Sequence, residues 1–154
     1  MNKKVNKIIL CIGTSECIGD SLGPLVGQNL YKKINKSNVY IFGNLEKNVT
    51  YQNVNDVLNL INNKIKNPYF ILVDSALAKI EDIGRIVVGK NKMIIGSALN
   101  KTKYSIGDLS IKGVVGENKN NNMKNYIELS HVSEKLVNNL SKQISNRIIQ
   151  ALYV

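Results

Sequence analysis

The chain has 154 residues, 44% of them hydrophobic, and carries 21 Lys and Arg against 11 Asp and Glu, a formal net charge of +10. That length buries a core without disulfides but does not comfortably hold two cores, so a single domain over residues 1–154 is expected. The longest apolar runs, Ile8 to Ile12 and Phe70 to Val73, fall far short of the roughly 20 residues of a bilayer span, and the basic start leads into a turn and Glu16 instead of a signal cleavage pattern, so a cytoplasmic protein without a membrane partner is expected.

Lys7 to Gly13 (KIILCIG) reads as the first strand, followed by a turn-rich stretch and then Gly-Asp-Ser-Leu-Gly-Pro, which holds Asp20. Leu22, Leu25, Val26, Leu30 and Ile34 recur at helical spacing and predict a helix from about Leu22 to Lys33. Pro24 suits its first turn, where a missing amide donor costs nothing. Val39 to Phe42 (VYIF) is a second strand, and Val54, Val57, Leu58, Ile61 and Ile65 mark a second amphipathic helix, with Asn53 or Asn55 as its cap. Asn67-Pro68 breaks that helix and releases a third strand, Tyr69 to Val73 (YFILV), with Asp74 directly after it. The order βαβαβ predicts a parallel sheet with right-handed crossovers.

Beyond Asp74, Ile83 to Val88, Met93 to Ile95, Ile111 to Val115 and Tyr126 to Leu129 read as short strands, some of them antiparallel. Glu117 to Asn122 (ENKNNN) is a polar loop of low complexity. From Val132, the positions Leu136, Val137, Leu140, Ile144, Ile148 and Leu152 mark a long C-terminal helix that covers one sheet face, with Ser130 or Ser133 near its cap.

The positive charge is scattered among asparagines, and aromatic residues make up only 6% of the chain. No stripe of Arg and aromatic residues is present, so a solvated lysine-rich surface is expected and nucleic acid is not an expected partner. Attraction to an acidic partner is compatible with the charge. Cys11 and Cys17 are the only cysteines and read as free thiols, Cys11 packed in the first strand and Cys17 more exposed in the following loop. With one histidine, His131, and no CxxC, a structural zinc site is not expected, and a cysteine nucleophile lacks a nearby base.

The chemistry concentrates on Asp20 and Asp74. Each follows an apolar strand, and ligands in parallel α/β sheets gather at the carboxyl ends of strands. The small-residue stretch around Asp20 resembles a phosphate cradle, but the Walker lysine is missing, GxGxxG is not satisfied and Asp20 would repel a phosphate. A plain structural role stays open for both residues: Asp20 as a helix cap, and Asp74 as a cap of the turn to Ser75 and Ala76. Against that, an acid directly after Phe70, Ile71, Leu72 and Val73 is expected to be partly desolvated, a costly state unless it is paired or functional.

The runs CIGTSECIGDSLGPLVG, FILVDSALAKIEDIGRIVVG and GSALNKTKYSIGDLSIKGVVG, in that order over nearly the whole chain, resemble the YyaC-type sporulation protein family, a spore protease group. The likeness is most specific in GDSLGP and VDSALA. More distantly, the same segments are similar to the germination protease, which degrades small acid-soluble spore proteins, and to the hydrogenase maturation proteases. The resemblance implies a three-layer α/β/α sandwich with a mostly parallel sheet, and an endopeptidase acting on a protein or peptide, such as a spore protein, in the mother cell or forespore of a sporulating bacterium. It also implies that Asp20 and Asp74 match the two essential aspartates of the germination protease.

In the hydrogenase maturation proteases the matched acids bind a metal together with a histidine. No histidine stands in the corresponding segment, Ser97 to Lys103, so an aspartate dyad without metal or cofactor is expected. Thr14, Ser15, Glu16, Ser75, Ser97 and Asn100 are the expected substrate-binding residues around it. Backbone amides at the start of the first helix are candidates to hold an oxyanion. The competing readings are a noncatalytic sporulation protein that keeps a peptide-binding cleft on a peptidase fold, and a nickel-dependent maturation protease, which would need a third ligand. An exposed apolar face would allow a homo-oligomer.

Overall fold

The computed structural model describes residues 4–90, 93–95 and 104–154. The strands are β1 (Asn6–Cys11), β2 (Val39–Phe42), β3 (Pro68–Ala78), β4 (Ile86–Gly89), β5 (Met93–Ile95), β6 (Tyr104–Ile106) and β7 (Leu109–Glu117). The helices are α1 (Leu22–Lys33), α2 (Val54–Lys64), α3 (Asn122–His131) and α4 (Glu134–Tyr153). A five-stranded sheet has the order β2-β1-β3-β7-β4; every neighbouring pair is parallel except β4 with β7. β5 and β6 form a separate antiparallel pair.

The near-continuous apolar run of β1 has a structural cause: Ile8, Ile9, Leu10 and Cys11 are all fully buried, because helices cover both faces of the sheet. Strand alternation sorts the side chains. Ile9, Cys11, Ile71, Val73, Ile111 and Val115 face α1 and α4, while Leu10, Ile12 and Leu72 face α2. The result is an α/β/α sandwich on a mostly parallel sheet, as the βαβαβ pattern and the resemblance imply. No helix among the described residues is long and apolar enough to cross a membrane.

Four expectations are corrected. Tyr126 to Leu129 is helical, lying inside α3, whose N-terminus is capped by the Asn121 side chain accepting from the Lys124 amide. A run as short as YIEL carries no period long enough to separate strand from helix. The strand expected at Ile83 starts only at Ile86, because a 3₁₀ turn at Ile80–Asp82 and Gly84 at φ 90° come first. Asp74 does not follow β3 but sits within it: β7 runs on alongside and pairs with β3 as far as Ala78. The polar loop contracts to 118–121, since Glu117 ends β7 and Asn122 starts α3.

Caps follow local chemistry. Of the two serines considered for α4, Ser133 is the cap, accepting from the Leu136 amide. Asn53 occupies the N-cap position of α2 but its side chain accepts from the Thr50 amide instead of a helical one.

Gly23, in the first turn of α1, allows this helix to lie directly on the end of the first strand. A Cβ there would stand 2.1 Å from the Ile12 carbonyl oxygen, which is backbone and cannot swing aside. Gly23→Ala is therefore expected to lower the unfolding free energy by about 1–3 kcal/mol in urea denaturation, the usual cost of overpacking a close contact. An unchanged midpoint would show that α1 rides more loosely on β1 than the contact implies.

Candidate active site

From β1 the chain moves to β2 on one side, and then crosses back to β3 on the other side of β1. The connection out of β1 runs toward β2 and the chain out of β3 runs toward the β7 side, so the two diverge above the carboxyl ends of β1 and β3, and a crevice at such a point is where open parallel sheets bind ligands. Asp20 and Asp74 both line the cavity there, of about 480 Å³, together with Thr14, Glu16, Cys17, Tyr51 and Tyr126 among others.

Asp20 lies in a 3₁₀ turn, Gly19–Ser21, between the first strand and α1. The Thr14 amide donates to the Asp20 carbonyl at 3.1 Å. Gly13, at φ 149°, permits this closeness, since a Cβ on it would be 2.0 Å from the same oxygen. Ser21, not Asp20, occupies the N-cap position of α1, and no side chain caps that helix. The Asp20 carboxylate is hydrogen-bonded by the Ser75 side chain.

Asp74 is 8% exposed. One carboxylate oxygen, Oδ1, accepts from the Ser75 amide at 2.8 Å, and the other, Oδ2, accepts from the Tyr51 hydroxyl at 2.7 Å. The pleat of β3 explains this division of partners. Asp74 continues the α2-facing row of Leu72, where Tyr51 arrives from the loop before α2, and Ser75 continues the opposite row of Val73, where Asp20 lies at the head of α1. Ser75 thereby joins the two acids, its amide on one and its side chain on the other.

Burial dominates the electrostatics. Desolvation raises the Asp74 carboxyl from its usual 3.8 to about 6, and the nearby Asp20 charge adds to the rise. The Tyr51 and Ser75 hydrogen bonds oppose it, as does Lys112, which sits in register with Asp74 on β7. Asp20 is also raised by desolvation, against the Ser75 bond. Tyr51 is raised by its own burial and by the Asp74 charge and hydrogen bond, so it stays a neutral donor. Two carboxyls that disfavour each other's ionisation can share one proton, leaving one as a base and the other as an acid.

Of the expected substrate-binding residues, Thr14 and Glu16 line the cavity, and the Thr14 hydroxyl oxygen accepts from the Glu16 amide at 3.2 Å. Ser15 is turned toward the neighbouring loop: its hydroxyl donates to the Leu45 carbonyl at 3.1 Å and meets the Asn48 side chain. Ser75 lies between the two acids. Ser97 and Asn100 fall outside the described residues. No sequence pattern points to Tyr51. It stands 23 residues from Asp74 in a loop without a motif, and its one readable signal is its place after a parallel strand, on the side where the acids emerge.

Among the described residues, no group of three or more His, Cys, Asp and Glu side chains could hold a metal ion. His131, at the end of α3, has its Nδ1 2.9 Å from the Ile127 carbonyl.

A family model described as "Protein of unknown function (DUF1256)" matches residues 1–147. The chain is 32% identical over 138 residues to the Bacillus subtilis (strain 168) protein named "Uncharacterized protein YyaC". That match covers 90% of this chain and 65% of the relative, so the chain spans just under two thirds of its length. Among solved structures, the NiFe hydrogenase maturation protease HycI from Thermococcus kodakarensis KOD1 matches with a TM-score of 0.62, covering 99% of this chain and 96% of that one. At 17% identity, what the two chains share is the fold.

The buried carboxyl gives the fold a pH dependence of known sign. With Asp74 at about 6 when folded and 3.8 when free, its contribution to stability is complete below 3.8 and lost as pH rises through 6, a total of roughly 3 kcal/mol. Denaturant titrations between about pH 4 and pH 8 should show Asp74→Asn gaining on the wild type as pH rises. Tyr51→Phe removes a bond that favours the ionised form, so the same transition should move to higher pH. A gap between wild type and Asp74→Asn that does not change with pH would contradict the burial argument.

Proposed function

Starting from a chain that belongs to the DUF1256 family, we propose an endopeptidase in which Asp20 and Asp74 act as a dyad on a peptide bond. The observation that carries the reading is the Ser75 bridge: it holds two desolvated carboxyls at one cavity above the strand crossover, where neither has a basic partner at salt-bridge distance among the described residues. Ion pairing would have quenched both groups; shared protonation leaves them reactive.

In the proposed step, the ionised carboxylate takes a proton from a water that attacks the scissile carbonyl carbon. The protonated partner hydrogen-bonds the carbonyl oxygen and then gives its proton to the leaving nitrogen as the C–N bond breaks. HycI is a maturation protease, and its shared fold supports peptide-bond hydrolysis as the reaction type. A spore protein as substrate, inside a sporulating cell, rests on the resemblance of GDSLGP and VDSALA to the YyaC-type sporulation proteins.

Purified spore proteins and a peptide library incubated with wild type, Asp20→Asn and Asp74→Asn test the proposal. Each replacement should lower kcat by about 10²–10⁴, and the double variant should be little worse than either single one, because the carboxyls act as a unit. The wild-type rate should fall as pH rises past about 6, where the shared proton is lost. Cleavage that survives both replacements would overturn the dyad. Peptide binding without any turnover would instead identify a noncatalytic cleft.

A further inference from the structure

Helix α3 is held to the protein along one side. Leu129 lies against Gly19, where an added Cβ would meet its side chain at 2.7 Å, and the Glu128 carboxylate accepts from the Glu117 amide at 3.0 Å. Val132, just past the helix, packs against the main core. The opposite side carries Met123, Tyr126 and Ile127, at the i, i+3, i+4 spacing that stacks side chains into one ridge. Their exposures are 74%, 67% and 52%. Single exposed apolar residues are ordinary, but a solvent-facing helix stripe is normally polar, and three contiguous large apolar side chains form a patch.

The ridge does not stand apart from the acids. Tyr126 belongs both to it and to the cavity of Asp20 and Asp74. One turn further along the same side, the Ser130 hydroxyl lies 4.0 Å from Cys17 Sγ, and Cys17 is another wall of that cavity. The patch is thus continuous with the site, leading from Tyr126 out to Met123. Met123 and Ile127 are four residues apart, about 6 Å along a helix. Side chains two positions apart on one face of an extended peptide are separated by about 7 Å. The ridge therefore fits a short extended segment presenting one or two bulky apolar side chains.

We infer that Met123, Tyr126 and Ile127 are the substrate-docking ridge of this chain, and that they select an extended peptide with a large apolar residue beside the segment entering the cavity. The inference rests on the peptidase reading and adds to it a substrate class. Exposed apolar surface that is buried only on substrate binding contributes ground-state affinity, so the ridge acts on KM more than on kcat.

Binding is measured separately from turnover, with fluorescein-labelled peptides and the Asp74→Asn protein followed by anisotropy. Peptides carrying Leu or Phe at a fixed position should bind roughly 10- to 200-fold more tightly than matched peptides with Ser there. Tyr126→Ala, and Met123→Ser with Ile127→Ser, should erase most of that difference while leaving the thermal midpoint unchanged, because these side chains are already exposed in the free protein. In the form that cleaves, Met123→Ser with Ile127→Ser, which lie outside the cavity lining, should raise KM with kcat nearly unchanged.

Equal affinity for Leu and Ser peptides, an affinity indifferent to the ridge substitutions, or no measurable peptide binding overturns the inference. A dimer that becomes a monomer in the ridge variants, with peptide affinity unchanged, overturns it in favour of self-association. Ridge-dependent binding with no cleavage by wild type keeps the ridge and removes the dyad. Dyad-dependent cleavage with ridge-independent binding does the reverse.

Discussion

Burial of β1 on both faces is the constraint from which the rest of the arrangement follows. A central parallel strand must bury Ile8 through Ile12 against helices above and below, and right-handed crossovers place those helices on opposite faces only if they run in opposite directions along the sheet, from β1 out to β2 and from β2 back past β1 to β3. α1 and α2 accordingly lie on different sides, entered by the loops that leave the carboxyl ends of β1 and β2. The cavity is a consequence of covering the sheet, not a separate construction. Its walls are the first turns of the covering layers: the loop and 3₁₀ turn before α1 bring Thr14, Glu16 and Asp20, and the segment before α2 brings Tyr51.

Close backbone approach makes that geometry rigid. Gly13 and Gly23 allow the turn holding Asp20 and the start of α1 to press against the end of the first strand with no side chain between them. Asp20 is fixed at its backbone by the Thr14 amide and at its carboxylate by Ser75. Asp74 is fixed by its position inside a strand paired on both sides up to its neighbour Val73. Groups carried on such elements hold their geometry better than groups on free loops.

Burying Asp74 works against stability, and nothing in the packing of the core requires an acid there. An apolar residue at the same position would extend the α2-facing row of Leu72 at no electrostatic cost. The protein instead surrounds the carboxylate with two donors, Tyr51 and the Ser75 amide, which moderate the desolvation without abolishing it. Burial that raises the Asp74 carboxyl to about 6 beside a second acid is the environment that the proposed proton transfer requires. The docking ridge on α3 repeats the pattern on an apolar scale, with surface left uncovered beside the same cavity.

Period and punctuation in the sequence determined most of the scaffold. The 3.6-residue spacing of Leu22 to Ile34, Val54 to Ile65 and Leu136 to Leu152 marked the three helices that cover the sheet, and the apolar runs at Ile8 and Phe70 marked its two central strands. The apolar run ahead of each acid was legible for the same reason, but Asp74 lies inside β3, because β7 continues the pairing past it to Ala78. Tertiary structure alone decided the rest. Tyr51 reaches Asp74 across 23 residues, Ser75 serves both acids because the pleat turns its side chain to the face where Asp20 waits, and YIEL is helical because its Leu129 packs on Gly19. A local pattern records which face of an element is apolar. Which polar group meets which across that face depends on how the elements are stacked, and stacking is set by contacts between residues far apart in the chain.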